Sequence, residues 1–318
     1  MIRIGIIGTS KISHQFIEAV QMMEDCKIEA IYSRSLEKGK KFGEKYNIEH
    51  YYTSLDEMAN SDSIDMVYIA SPNSLHANQA ILMMKGKKHV LCEKPLATTA
   101  KDVNRMYKAS KDNGVTLMEA MKTTLTPNFF SIKKNLHKIG KIRAFTGNFC
   151  QYSSRYDDLK GGKLTNIFNP EFGGGSALDI GIYPLYFCIS LFGQPNDTYS
   201  ANIKLSSGVE GLGTIVLKYD DMIATVMHSK ITQSFIPNEI QGELGSIVIN
   251  SISNLREVSI HYLDGNIEDI SIEQSENSMV YELGEFINLI ENKKLESDIN
   301  SFETSKKVIE ILEKSRIK

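Results

Sequence analysis

Apolar positions along the first third of the chain follow two alternating periods. Ile2 to Ile7 (IRIGII) is a short apolar run that stops at Gly8, the mark of a buried strand. The next stretch places Ile12, Phe16, Ile17, Val20 and Met23 at helical spacing. The same exchange repeats. Strands are predicted over 28–32, 65–70, 89–92 and 115–118, and helices over 36–46, 75–85 and 100–113. Strands separated by helices of this length imply βαβ units, hence a parallel sheet with right-handed crossovers.

The pattern changes near residue 120. A helical stretch over 129–136 leads into a strand-like run over 142–152. A Gly- and Asn-rich loop covers 157–175, and a helix starts near Ser176. From about 200 to 272 the chain reads mostly as strands broken by turns such as Asp264-Gly265-Asn266, and two helices over 279–292 and 302–316 close it. Two domains are expected, 1–120 and 121–318, the second α+β with a large, mainly antiparallel open sheet. The last helix is available to pack back on the first domain. Runs around 211–219 and 222–231 are apolar in both alternating registers, as at Leu212, Ile215, Val216 and Leu217. A sheet apolar on both sides needs a second cover.

Composition narrows the function. The 318 residues carry 36 Lys+Arg against 39 Asp+Glu, a formal charge of −3, with no basic block, so no nucleic-acid partner is expected. No uninterrupted apolar run approaches the length of a membrane span, and the apolar N-terminal run is too short for a signal peptide, so no membrane association is expected. The four cysteines form no C-x-x-C pair and the seven histidines show no metal-ligand spacing, so no metal is expected. A reducing cytoplasm is the expected location.

Several stretches carry chemistry. Gly8-Thr9-Ser10-Lys11-Ile12-Ser13 lies where the first strand gives way to the first helix. A dinucleotide-binding turn needs small residues there, so that a pyrophosphate reaches the helix N-terminal amides. The usual spacing G-x-G-x-x-G/A is kept only at Gly8, with Ser10 and Ser13 at the other places; a plain strand-to-helix turn is the alternative reading. The second strand ends Tyr32-Ser33-Arg34-Ser35 without an acid for a ribose 2′-OH. A hydroxyl beside a guanidinium suits a 2′-phosphate, so NADP(H) is expected over NAD(H), with NAD possible. Further on, Glu93-Lys94-Pro95 follows the strand over 89–92, and Ser71-Pro72-Asn73-x-x-His76 follows the strand over 65–70. Ligands of open α/β sheets bind at such strand ends.

Another stretch is Gly173-Gly174-Gly175-Ser176-Ala177-Leu178-Asp179-Ile180-Gly181-Ile182-Tyr183-Pro184. Ser176 is an expected N-cap, Asp179 falls in the first turn, and Tyr183 shares its face four residues on. A capping acid and a packing tyrosine are the bland alternative.

In order and spacing these motifs resemble the glucose–fructose oxidoreductase / inositol dehydrogenase / MocA family. The likeness spans roughly 1–190. Tyr183, where many members carry His, and Phe168-Asn169-Pro170 are similar to the branch with dimeric dihydrodiol (D-xylose) dehydrogenase. Met118-Glu119-Ala120-Met121 is family-like, although Lys122 stands where an aromatic often follows. The resemblance implies an N-terminal Rossmann domain with a doubly wound sheet, and a homodimer paired through the second domain's open sheet. It puts Gly8, Thr9, Ser10, Lys11 and Ile12 at the pyrophosphate and Ser33 and Arg34 at the adenosine ribose. Ser71, Asn73 and His76 would line the cofactor cleft, Glu93 the nicotinamide ribose, and Lys94 would stand between nicotinamide and substrate, with a cis bond to Pro95.

Under this resemblance Tyr183 is the acid/base. Lys94 lowers its pKa or protonates the oxygen itself, and Asp179 binds a substrate hydroxyl or fixes Lys94. Arg155, Tyr156, Asn166 and Asn169 are candidate substrate contacts. The expected activity is NADP(H)-dependent hydride transfer on a CH–OH/C=O group of a sugar, cyclic polyol or dihydrodiol. A catalytically silent NADP-binding sensor and an oxidoreductase that recycles its bound cofactor are the alternatives.

Overall fold

The computed structural model describes residues 1–317. The chain divides into two units, 1–121 with 275–305, and 122–274 with the C-terminal residues from 306.

The first unit runs β1 (Ile2–Ile7), α1 (Lys11–Gln21), β2 (Cys26–Tyr32), α2 (Leu36–Gly43), β3 (His50–Tyr52), α3 (Leu55–Ala59), β4 (Met66–Ile69), α4 (His76–Lys85), β5 (His89–Glu93), α5 (Ala100–Asn113) and β6 (Leu117–Ala120). The strands form one sheet in the order β3-β2-β1-β4-β5-β6, every pair parallel. This is the doubly wound order of dinucleotide-binding folds, and it reverses direction between β1 and β4. The helices form where the periodicity places them: Ser13, Phe16, Ile17 and Val20 are the buried stripe of α1. Phe16 stacks on Tyr68 of β4 at 3.7 Å between ring centroids. α5 is closed at both ends, by Thr99 accepting the Asp102 N–H and by Gly114 at φ +66°.

β3 and α3 were not foreseen, being too short to show a period. Residues 275–305, expected in the second domain, belong to the first unit. There α9 (Met279–Glu291) packs against α1, and the backbone N–H of Leu117 donates to the Leu295 carbonyl at 3.0 Å. These are bonds across more than 170 residues, which no local pattern encodes.

The second unit begins with α6 (Pro127–Asn135), β7 (Ile142–Cys150) and α7 (Ser154–Lys160). A π-helical turn (Ala177–Gly181) then runs into α8 (Ile182–Phe192). The strands β8 (Asp197–Lys204), β9 (Glu210–Lys218), β10 (Ile223–Ser229), β11 (Asn238–Gly242), β12 (Gly245–Ile249), β13 (Val258–Tyr262) and β14 (Ile267–Asp269) follow, and α10 (Phe302–Ile317) belongs to this unit from residue 306. The sheet order is β14-β13-β12-β11-β7-β10-β9-β8. All pairs are antiparallel except β7 with β10, so these two central strands end at the same edge. One face of the sheet is covered by α8 through a cluster of Phe129, Phe145 and Phe187. The helical stretch Pro170–Phe192 is long and apolar enough to cross a membrane by composition, unlike the reading from uninterrupted runs. It is core instead, most of it buried within the fold.

Candidate active site

The first unit gathers its motif residues at the carboxyl ends of β1, β4 and β5. Gly8 leaves β1 at φ +114°, and a Cβ there would lie 2.5 Å from the Ala70 carbonyl oxygen at the end of β4. Only glycine suits that conformation and closeness. Ser13, at the place of the third glycine, is buried and closes the turn by donating to the Gly8 carbonyl at 3.0 Å. Ser10 occupies the N-cap of α1 without a side-chain cap bond, the first turn holds no acid, and Thr9, Ser10 and Lys11 are exposed. A helix start with unspent amides, an uncommitted hydroxyl and a lysine fits an anionic pyrophosphate. At the end of β2, Arg34 is exposed and Ser33 half-buried.

The turns after β4 and β5 are bound to each other. His76 lies with Nδ1 2.9 Å from the Pro95 carbonyl oxygen and Nε2 2.9 Å from that of Ser71. It is completely buried, and burial pulls its pKa below the ordinary histidine range. A neutral imidazole donates to one of these carbonyls at a time. The resemblance sets His76 along the cofactor cleft; in the structure its ring is buried between the Ser71 and Pro95 carbonyls. Ser71 Oγ donates to Gln79 at 2.6 Å, and Asn73 opens a short 3₁₀ turn. Glu93 is buried and accepts both the Tyr68 hydroxyl and the Lys94 N–H. The Lys94–Pro95 bond is cis.

In the second unit the glycine trio makes room for a carboxylate. Gly175 has φ +118°, and a Cβ there would lie 2.3 Å from Oε1 of Glu210. Glu210, 4% exposed on β9, accepts the Ala177 N–H at 3.2 Å, and Arg316 stands 3.4 Å away. Ser176 occupies the N-cap as expected but makes no side-chain cap bond, and Glu210 accepts the first amide in its place. The Ser176 hydroxyl instead lies 3.2 Å from the Glu210 carbonyl and 2.8 Å from Nδ1 of the buried His228. Burial pulls His228 down to about 4, so it is neutral in the core.

From Ser176 to Ile189 every residue is buried except Asp179 and Tyr183. A helix this apolar presents just one carboxylate and one phenol. Asp179 pairs with the Lys230 ammonium at 2.7 Å, and Lys230 is 8% exposed. The Tyr183 ring lies 5.6 Å from that of Phe149 on β7. Lys230, immediately after β10, pairs with a candidate site residue and was not among the sequence candidates. A lysine after a strand reads as surface, and only the packing of β10 against the π-helical turn brings it to Asp179. Phe149 also lines a cavity of about 140 Å³ whose other walls include Asn148, Gln151, Gln233, Ser234 and Asn250. Amides and hydroxyls without a charged group suit a neutral, hydroxylated molecule.

The loop candidates are committed locally. Arg155 on α7 pairs with Asp158 at 3.4 Å, and Tyr156 lies beside Phe168 with Lys160 over its ring. Asn169 accepts the Glu171 N–H at 2.9 Å, and Asn166 is exposed at the start of its 3₁₀ turn. Among the described residues the one grouping with metal-ligand spacing is Glu29, Glu49 and His50, and there Lys27 already pairs with Glu29.

The chain is 50% identical over 316 residues to scyllo-inositol 2-dehydrogenase (NADP(+)) of Bacillus subtilis, covering 99% of this chain and 96% of that protein. It is 30% identical over 259 residues to trans-1,2-dihydrobenzene-1,2-diol dehydrogenase of Danio rerio, covering 78% and 74%. The fold matches a levoglucosan dehydrogenase solved with NADH and levoglucosan, with TM-score 0.87 at 21% identity, over 99% and 96% of the two chains. Residues 2–121 match the oxidoreductase family model with an NAD-binding Rossmann fold, and residues 135–248 match the GFO/IDH/MocA C-terminal domain. With both halves matched and a half-identical relative along nearly its whole length, this chain belongs to the GFO/IDH/MocA family of oxidoreductases.

Proposed function

We propose that the protein is an NADP(H)-dependent dehydrogenase acting on a neutral polyhydroxylated ring, a cyclic polyol of the inositol class. The observation that carries this is the apolar helical stretch from Ser176 to Ile189, in which only Asp179 and Tyr183 are not buried, with Lys230 paired to Asp179. The amide- and hydroxyl-lined cavity beside Phe149 and the name of the half-identical relative support the substrate class. When bound, the nicotinamide supplies the hydride acceptor or donor.

The chain's own residues do the rest. The amides of Gly8 to Ile12, with the Ser10 hydroxyl and Lys11, hold the pyrophosphate. Ser33 and Arg34 take the adenosine 2′-phosphate. Ser71, Asn73, Glu93 and Pro95 shape the cofactor's resting place, with His76 acting through the carbonyls it pins. Tyr183 exchanges a proton with the substrate hydroxyl, Lys94 supplies the positive charge that this exchange needs, and Asp179, oriented by Lys230, accepts from a neighbouring hydroxyl. The test is reduction of NADP⁺ and NAD⁺ with inositol isomers, aldoses and a dihydrodiol. Steady turnover of a cyclic polyol with NADP⁺ is expected. Tight cofactor binding without turnover of any of them would favour a sensor.

Arg34→Ala is expected to raise KM for NADP⁺ by roughly 10–100-fold, the worth of a charge-assisted phosphate contact, and to leave KM for NAD⁺ unchanged. An unmoved NADP⁺ constant would remove Arg34 from that role.

The second sheet supports a homodimer. Tyr199, Ile203 and Ile223 are 55%, 54% and 56% exposed on the face opposite α8, with Val216 and Leu212 beside the first two in register. Light scattering at micromolar concentration is expected to give twice the chain mass; a monomer would reject this pairing. Four free, buried thiols suit a reducing cytoplasm.

A further inference from the structure

Glu119 is the fully buried acid of β6, in register with Cys92 of β5. Its Oε1 accepts the Leu96 N–H at 2.8 Å, while Oε2 has no hydrogen-bond partner. Beside the carboxyl is a cavity of about 10 Å³ lined by Leu96, Tyr107, Asn300, Phe302 and Ser305, the lower limit of room for one water. Asn300 closes the end of β6 by donating to the Glu119 and Met121 carbonyls.

We propose that Glu119 is a positioning residue: through the Leu96 N–H it holds the Lys94-Pro95-Leu96 turn in place, and its own ionisation sets how firmly it does so. The turn has three anchors. Glu93 takes the Lys94 N–H, His76 faces the Pro95 carbonyl, and Glu119 takes the Leu96 N–H. Of these only Glu119 lies on a strand that carries none of the cofactor or substrate residues assigned above. An ionised carboxylate makes the stronger bond to that N–H, but burial disfavours the charge.

The groups facing Glu119 act in both directions. Burial is the largest influence and raises its pKa, as does the charge of Glu93. The Ser305 hydroxyl, the Leu96 N–H and the Lys94 charge favour the ionised form. The balance places Glu119 at about 7. Cys92 on β5 is held protonated by burial, and Tyr107 on α5 is engaged with Glu296 at 2.6 Å. A group raised in the folded state stabilises below its unfolded value near 4.5, and that stability is lost as pH climbs through about 7.

The role in turnover rests on the function proposed above, whereas the stability readout does not. Glu119→Gln keeps an acceptor for Leu96 and cannot ionise; Glu119→Leu leaves that N–H unpaired. In the cofactor-free protein, the Tm of the parent is expected to fall relative to that of Glu119→Gln by several degrees between pH 5 and pH 8. In turnover, Glu119→Leu is expected to lose about tenfold in kcat through a displaced turn, with KM for the polyol little changed. Glu119→Gln restores kcat and flattens its pH dependence across neutrality. A Tm difference independent of pH overturns the proposal even if the Leu variant fails to fold. So does a Leu variant with the parent's kcat. A parent inactive on every polyol, with the pH-dependent Tm difference intact, would count against the proposed function alone.

Discussion

Tyr183→Phe is expected to lower kcat by about 10²–10⁴-fold, the range for losing a positioned acid/base. The change removes one oxygen and little else. The ring keeps its place 5.6 Å from Phe149, and its neighbours on the helix from Ile180 to Ile189 are buried, so the fold has no reason to move. A free phenol ionises near pH 10, and bringing such a group to neutrality takes roughly three units, or about 4 kcal/mol of favourable charge. The variant should lose both the rate and the limb of the kcat–pH profile that belongs to that ionisation. Circular dichroism and Tm should match the parent. If the variant keeps the parent's pH–rate profile, Tyr183 is not the proton carrier and Lys94 becomes the candidate.

Lys94→Met should lower kcat by at least about 10²-fold, with fold and cofactor affinity retained. The three anchors of the turn are a Glu93 bond to the residue-94 N–H, His76 against the Pro95 carbonyl and Glu119 under the Leu96 N–H, and methionine disturbs none of them. Methionine also matches the length of the lysine stem, so what is lost is the ammonium. Fluorescence titration with NADPH separates binding from turnover. A variant with unchanged kcat would exclude Lys94 from the chemistry. A variant that loses cofactor affinity in proportion to rate would make it a binding residue.

The two predictions rest on information that lies at different depths in the chain. The alternation of strand and helix over 1–120 is a local property: a buried strand must be apolar along its length and α1 must repeat its stripe every three to four residues. The glycine turn was equally legible, because φ +114° beside the Ala70 carbonyl admits almost nothing but glycine. The sequence by itself determined the doubly wound half, the strand-rich half and the two motifs that mark the family.

Tertiary structure alone decided who stands next to whom. Ser176 holds the N-cap of the turn that carries Asp179, but Glu210 accepts its first amide, because β9 brings a carboxylate under Gly175. Lys230 reaches Asp179 because β10 packs against the π-helical turn that carries Asp179. His76 became an internal pin, Glu119 a buried acid, and residues 275–305 part of the first unit. Periodicity records which face of an element avoids water. It carries no record of which distant residue will fill that face, and burial next to a particular partner is what turns an ordinary Lys, Glu or His into a functional one.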